Sequence, residues 1–224
     1  MSLYVVRDAS FYLFNNSLIF FALHSDSSLS STRDPNDMVV FLGDHAPNAP
    51  SSVRRQYRML QHVHHPQYHL WAWYDADLAI VKLAEEVEIS EYVYPICAPE
   101  PNNLYLSSTM VTAGWGTLVA GQEVYPDVLQ WVSLPILNND DCQWSVGSDY
   151  EVTENMICAG DIYENQRDAC QGDSGGPMVT KRGGQFELVG IVSWGRGCAG
   201  GYPGVYTRVS NYVNWVADQI SALS

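Results

Sequence analysis

Asp168-Ala-Cys-Gln-Gly-Asp-Ser-Gly-Gly-Pro177 sets a serine between glycines, with one acid beside it and a second acid six residues upstream. A serine hydroxyl is a weak nucleophile, so it must stand clear of other side chains, near a base and near backbone N–H groups that can hold an oxyanion. Gly172 and Gly175 permit tight or left-handed backbone and leave no Cβ in the path of an incoming carbonyl. The N–H groups of Gly172 and Ser174 are the natural oxyanion donors, each lowering an acyl-transfer barrier by roughly 3–4 kcal/mol. An ordinary polar turn uses the same residue types, but the full ten-residue string is too specific for that reading. The chemistry these residues suit is nucleophilic acyl transfer.

Gly172-x-Ser174-x-Gly176 also fits the nucleophile elbow of α/β-hydrolases, in which the histidine follows the serine. Here all six histidines (His24, His45, His62, His64, His65 and His69) precede Ser174. The order histidine, aspartate, serine remains. The residues ahead of Ser174 supply further motifs in sequence: Leu42-Gly-Asp-His45, His65-Pro-Gln-Tyr68, Asp77-Leu-Ala-Ile-Val-Lys-Leu83, Val93-Tyr-Pro-Ile-Cys97 and Ala113-Gly-Trp-Gly116. Ser193-Trp-Gly195 and Pro203-Gly-Val-Tyr-Thr-Arg208 follow it. Together these resemble the trypsin and chymotrypsin family of serine proteases over about residues 38–222.

That resemblance implies roles. Asp77 would orient the catalytic imidazole and stabilise its charged form, with the buried run Leu78–Val81 starting directly after it, while Asp75 reads as a loop acid. Asp168 would lie at the floor of the specificity pocket and Ser193, Trp194, Gly195 and Gly204 in its walls. A carboxylate there pairs with a guanidinium or ammonium, which implies polypeptide substrates cleaved after Arg or Lys. Family members carry Thr-Ala-Ala-His-Cys around the general base; the nearest match is Phe21-Ala-Leu-His24-Ser25, 53 residues before Asp77. His24 is the candidate base, the alternative being a histidine upstream of this chain. Residues 11–23 also partly resemble a signal-peptide core, and Asn15-Asn-Ser17 has the glycosylation pattern.

The family's mature start, Ile-Val-Gly-Gly after a basic residue, is absent, so Asp173, whose family counterpart pairs with the freed amine, has no evident partner in the sequence. Three readings stay open: a chain incomplete at its start, an active conformation reached differently, or a protease-fold binding module without catalysis.

Five cysteines permit two bridges and one leftover thiol. The resemblance implies Cys142 with Cys158 and Cys170 with Cys198, and it places Met110 and Thr180 where relatives carry another bridge. Cys97 is then either a tether to an upstream chain or propeptide, or an inert thiol.

The elements that must position these groups read as mostly β. Short runs rich in Val, Ile, Tyr and Trp (110–112, 128–134, 186–194, 204–209) are punctuated by Gly, Pro, Asn and Asp. Tyr212, Trp215, Val216, Gln219 and Ile220 fall at helical spacing after Ser210, a candidate N-cap. The expected fold is all-β, two packed six-stranded antiparallel barrels with a C-terminal helix, the first barrel incomplete. Residues 1–37 form a divergent segment, 38–103 the rest of the first barrel and 104–224 the second barrel with its helix. With 224 residues, 46% of them hydrophobic, the chain can bury a substantial core. No apolar run reaches the roughly 18 residues of a membrane helix. The net charge of −14 argues against nucleic acid and suits a secreted protein with basic substrates. The loop at 44–56 lacks the second acid with which calcium-binding relatives hold their ion, so neither metal nor cofactor is expected.

Overall fold

The computed structural model describes residues 38–160, 168–198 and 200–223 with their side chains, and three further strands within residues 4–21 by their backbone. Those strands are β1 (Tyr4–Val6), β2 (Ala9–Asn15) and β3 (Leu18–Phe21). With β4 (Val39–Leu42), β5 (Arg55–His64) and β6 (Ala79–Leu83) they close a barrel in the order β1-β2-β3-β6-β5-β4. The first barrel, expected to be incomplete, therefore has six strands: β3 pairs with β6 from Leu18 opposite Lys82 to Phe21 opposite Ala79, and β1 meets β4 at Val5 and Phe41. The hydrogen-bonding edges of β4 and β6 would otherwise be bare, which is the physical reason a closed ladder forms.

The second barrel closes as β10-β11-β12-β9-β8-β7. Its strands are β7 (Thr109–Gly114), β8 (Gln130–Leu137), β9 (Met156–Ala159), β10 (Pro177–Arg182), β11 (Gln185–Trp194) and β12 (Gly204–Arg208). All pairings are antiparallel.

Strand burial explains the apolar runs. β6 is buried on both faces: Ala79, Val81 and Leu83 point into the first barrel with Val40, Leu42 and Met59, whereas Ile80 and the preceding Leu78 pack between the barrels. An uninterrupted hydrophobic run is what a strand with two covered faces requires. Ile157, Met178, Val189 and Tyr206 fill the second barrel.

The helix α2 (Val213–Leu223) packs Val216, Trp215 and Ile220 onto Leu78 and Ile80. Ser210 is not its cap; its hydroxyl donates to the Asn103 carbonyl at 2.9 Å from a 3-10 turn, Val209–Asn211, that precedes the helix. One element not expected from the sequence is α1 (Asn139–Val146). Its amphipathic signal is weak because only Cys142 and Val146 are buried, and it is set instead by its ends. Asn138 accepts from the Asp141 N–H at 2.8 Å, Asp140 and Asp141 occupy the first turn, and Gly147 ends it at φ 84°. Among the described residues no helix is long and apolar enough to cross a membrane.

Candidate active site

The turn that carries Ser174, the expected nucleophile, leads into β10. Gly172 adopts φ 94°, and a Cβ there would sit 3.2 Å from Gly116 Cα, so both its conformation and its surroundings select glycine. The turn is closed by its own backbone, with Asp173 N–H donating to Cys170 O at 2.9 Å and Gly176 N–H to Asp173 O at 2.7 Å. Gly175 N–H and Val192 N–H tie it to β11 at 2.9 and 2.8 Å. Ser174 is half-buried and lines a cavity of about 150 Å³.

Asp168 lines that cavity, as do Ser193, Trp194, Gly195 and Gly204. A Cβ on Gly204 would lie 2.9 Å from Asp168 Oδ1, so glycine is what leaves room for the carboxylate. Asp168 Oδ1 accepts from the Ala169 N–H at 2.8 Å. Tyr206, which the motif reading did not single out, is fully buried at the same cavity; burial and then the Asp168 charge push its phenol well above the usual range. Its place inside the family-like Pro203–Arg208 run was the only signal available. The disulfide Cys170–Cys198 joins two residues that line the cavity, with Cα atoms 5.2 Å apart. Cys142–Cys158 joins α1 to β9. Cys97 is a half-buried free thiol whose Sγ lies 3.7 Å from Gln185 Oε1.

Asp77 is fully buried where the first barrel meets the second. Ser193 Oγ donates to its Oδ2 at 2.5 Å, and Thr207 Oγ1 donates to its backbone carbonyl at 2.6 Å. Ser193 thus has a second position in the site, on the aspartate as well as in the pocket wall. Tyr68, of the His-Pro-x-Tyr motif, is also close: its phenol is held above the usual range by burial first and by the Asp77 charge second. The indole of Trp194 stacks with Tyr74 and with Tyr150, with ring centroids 6.2 and 5.2 Å away at 28° and 25°.

Asp173 turns its carboxylate inward, beneath the nucleophile turn. Its Oδ1 accepts from Gly116 N–H at 2.8 Å and its Oδ2 from Cys170 N–H at 2.9 Å. Burial raises its pKa, and these two bonds oppose the rise. A Cβ at Gly114 or Gly116 would fall 2.0 or 2.5 Å from this carboxyl group, which accounts for both glycines of Ala113-Gly-Trp-Gly116. The partners that residue order alone could not supply include these two amides. A cavity of about 340 Å³ adjoins the group.

His24 lies outside the described residues. His65 packs edge-on against Tyr212 and Trp215, with centroids 4.9 and 4.8 Å away, and its Nδ1 accepts from Gln67 N–H at 3.3 Å. His62 and His64 pair with Val81 and Ala79, so they share the face of those residues toward the first barrel's interior. The structure therefore gathers Ser174, Asp168, Ser193, Trp194 and Gly204 at one cavity and fastens Asp77 to its wall through Ser193.

Comparison with known proteins agrees with this fold. The family model described as Trypsin matches residues 15–216. Trypsin II-P29 of Gallus gallus is 42% identical over 161 residues, covering 71% of this chain and 61% of that protein. Anionic trypsin of Bos taurus is 40% identical over 163 residues, with 72% and 62% covered. Serine proteinase stubble of Drosophila melanogaster is 42% identical over 162 residues, with 70% of this chain and 20% of that protein covered. The chain spans about six tenths of the length of the two trypsins it matches. A match over most of its residues, on a double barrel that holds the motifs together, means that the chain belongs to the trypsin family of serine proteases.

Proposed function

We propose that the protein is a secreted serine endopeptidase that cleaves polypeptides after Arg or Lys through an acyl-enzyme. Ser174 attacks the scissile carbonyl, the N–H groups of Gly172 and Ser174 receive the oxyanion, His24 takes the proton, and Asp77 orients the imidazole. The proton taken by the imidazole then passes to the leaving amine, and water repeats the attack on the acyl-enzyme. The observation that carries the proposal is the shared cavity: Asp168 and Ser174 both line it, and Gly204 leaves room for the carboxylate. A basic P1 side chain would pair with Asp168, whereas a neutral one leaves a half-buried acid without its cation. Two disulfides suit an oxidising compartment. Cys97, partly exposed beside β11, would tether an upstream chain.

One observation favours a second reading, a protease-fold binding module: Phe21-Ala-Leu-His24-Ser25 departs from the family's Thr-Ala-Ala-His-Cys at several positions. Labelling by a fluorophosphonate and turnover of an Arg amide decide between them. The endopeptidase reading expects label on Ser174 and turnover, both lost in His24→Ala. Folded protein that neither labels nor turns over is the result expected of a binding module.

A further inference from the structure

Asp75 reads in the sequence as a loop acid two residues before Asp77, yet it is 1% exposed. Among the described residues its carboxylate takes neutral donors from the other barrel: Thr153 Oγ1 at 2.6 Å and Asn155 Nδ2 at 3.2 and 3.3 Å from the two oxygens. The donor segment is itself anchored. Asn155 O accepts from Arg208 N–H at 2.8 Å, Asn155 Oδ1 accepts from Asn211 Nδ2 at 3.1 Å, and the Arg208 guanidinium donates to Glu154 O at 3.0 Å and Met156 O at 2.7 Å.

On the first-barrel side, the residues flanking Asp75 are left-handed without being glycine: Tyr74 at φ 62° and Ala76 at φ 52°. Side chains rarely adopt that backbone, and it persists where surrounding interactions hold it. Bonds to a buried carboxylate are among the strongest available for that purpose. The turn also closes on itself through Asp75, with His69 N–H donating to Asp75 O at 3.0 Å and Leu78 N–H to Ala76 O at 2.9 Å.

From this we infer that Asp75 is a positioning residue: by docking the Tyr74–Ala76 turn onto Thr153 and Asn155 of the second barrel, it sets where Asp77 meets Ser193 and Thr207. The inference rests on the endopeptidase reading for its catalytic consequence, while its structural part stands independently. Asp77 has its own bonds to the second barrel, but both depend on the loop arriving in register. Asp75 supplies the second point of attachment, which fixes direction as well as place.

The test uses the full chain with Thr153→Val, Asn155→Ala and Asp75→Asn. The charge of Asp75 also acts on His65 and Tyr212, so the first two variants, which leave that charge in place, separate positioning from a direct field. On an Arg amide substrate they are expected to lower kcat by about 10- to 100-fold with KM changed less than about 2-fold. The acid limb of the kcat/KM profile is expected to move to lower pH, because a displaced Asp77 stabilises the imidazolium less. Independently of turnover, amide hydrogen exchange at His69 and Leu78 is expected to rise by about 10-fold or more while β10 to β12 keep their protection. If the wild-type protein has no turnover, the endopeptidase reading fails alone and exchange still decides the inference. Unchanged exchange at those two amides in Thr153→Val and Asn155→Ala overturns it, as does a fall in kcat with an unmoved acid limb. Should Asp75→Asn fail to fold, the two neutral-donor variants carry the test.

Discussion

Ser193, next to last in the second barrel's longest strand, donates its hydroxyl at 2.5 Å to Oδ2 of Asp77, on the loop entering the first barrel's buried strand. The bond joins residues 116 positions apart in sequence and places a pocket-wall residue on the aspartate. Removing it leaves a buried carboxylate short of a donor, which costs about 1–3 kcal/mol. Ser193→Ala is therefore expected to lower the unfolding free energy by that amount and kcat by about 5- to 100-fold, as measured by denaturant melts and steady-state kinetics. Unaltered kcat in a folded variant would remove Ser193 from the aspartate's support.

Pocket chemistry makes a separate prediction. Asp168→Ser removes the proposed partner of a basic P1 group and is expected to reduce kcat/KM for an Arg amide by about 10³-fold or more, with fluorophosphonate labelling retained. Gly204→Ala should act differently, because its Cβ would stand 2.9 Å from Asp168 Oδ1 and 3.1 Å from Tyr206 Cε2. It is expected to raise KM for every basic substrate while the labelling rate stays near that of wild type. Equal losses of labelling and turnover in both variants would point to misfolding of the nucleophile turn instead.

The histidines on and after β5 determine how stability responds to acid. His62, His64, His65 and His69 are all pushed below the ordinary 6.5 by burial, His64 also by His62, whose ring centroid is 4.9 Å away, while Asp75 partly offsets the shift at His65. The unfolded chain therefore takes up protons at higher pH than the folded one. Their contribution is fully present above about 6.5 and is lost as pH falls through the depressed folded values. Tm is expected to fall between pH 7 and 5, and to fall less steeply in His64→Gln. A Tm that is flat over this window would show that these rings protonate without a folding cost.

Cys170–Cys198 closes a span of 28 residues and joins the Ser174 turn to a second segment that lines the same cavity. A loop of that size corresponds to about 3–4 kcal/mol of stabilisation in the chain-entropy account. Replacing both cysteines by serine is expected to lower stability by that order and also to weaken discrimination between Arg and neutral P1 residues. The control is the Cys142–Cys158 pair, which lies away from the pocket between α1 and β9. Its removal should reduce stability with little change in P1 preference, and identical specificity changes in both variants would contradict the assignment.

Much of this protein can be read from residue order alone. The ten-residue string around Ser174 and the run Leu78–Val81 after Asp77 each encode a local demand, an open turn and a strand covered on both faces, whereas the reason for the glycines of Ala113-Gly-Trp-Gly116, room for the Asp173 carboxylate, emerges only in the fold. The helix α1 escaped because its ends, and not its periodicity, define it.

What tertiary structure alone decided is which distant groups converge. Asp75 and Asp77 are both acids in one turn, and neither spacing nor composition says that one meets Thr153 and Asn155 while the other meets Ser193 and Thr207. The amides that receive Asp173 and the burial of Tyr206 beside Asp168 belong to the same class. Local sequence sets backbone conformation and which face is apolar, because those depend on near neighbours. The partners of a buried polar group depend on how two closed barrels pack, and that is settled only when the whole chain has folded.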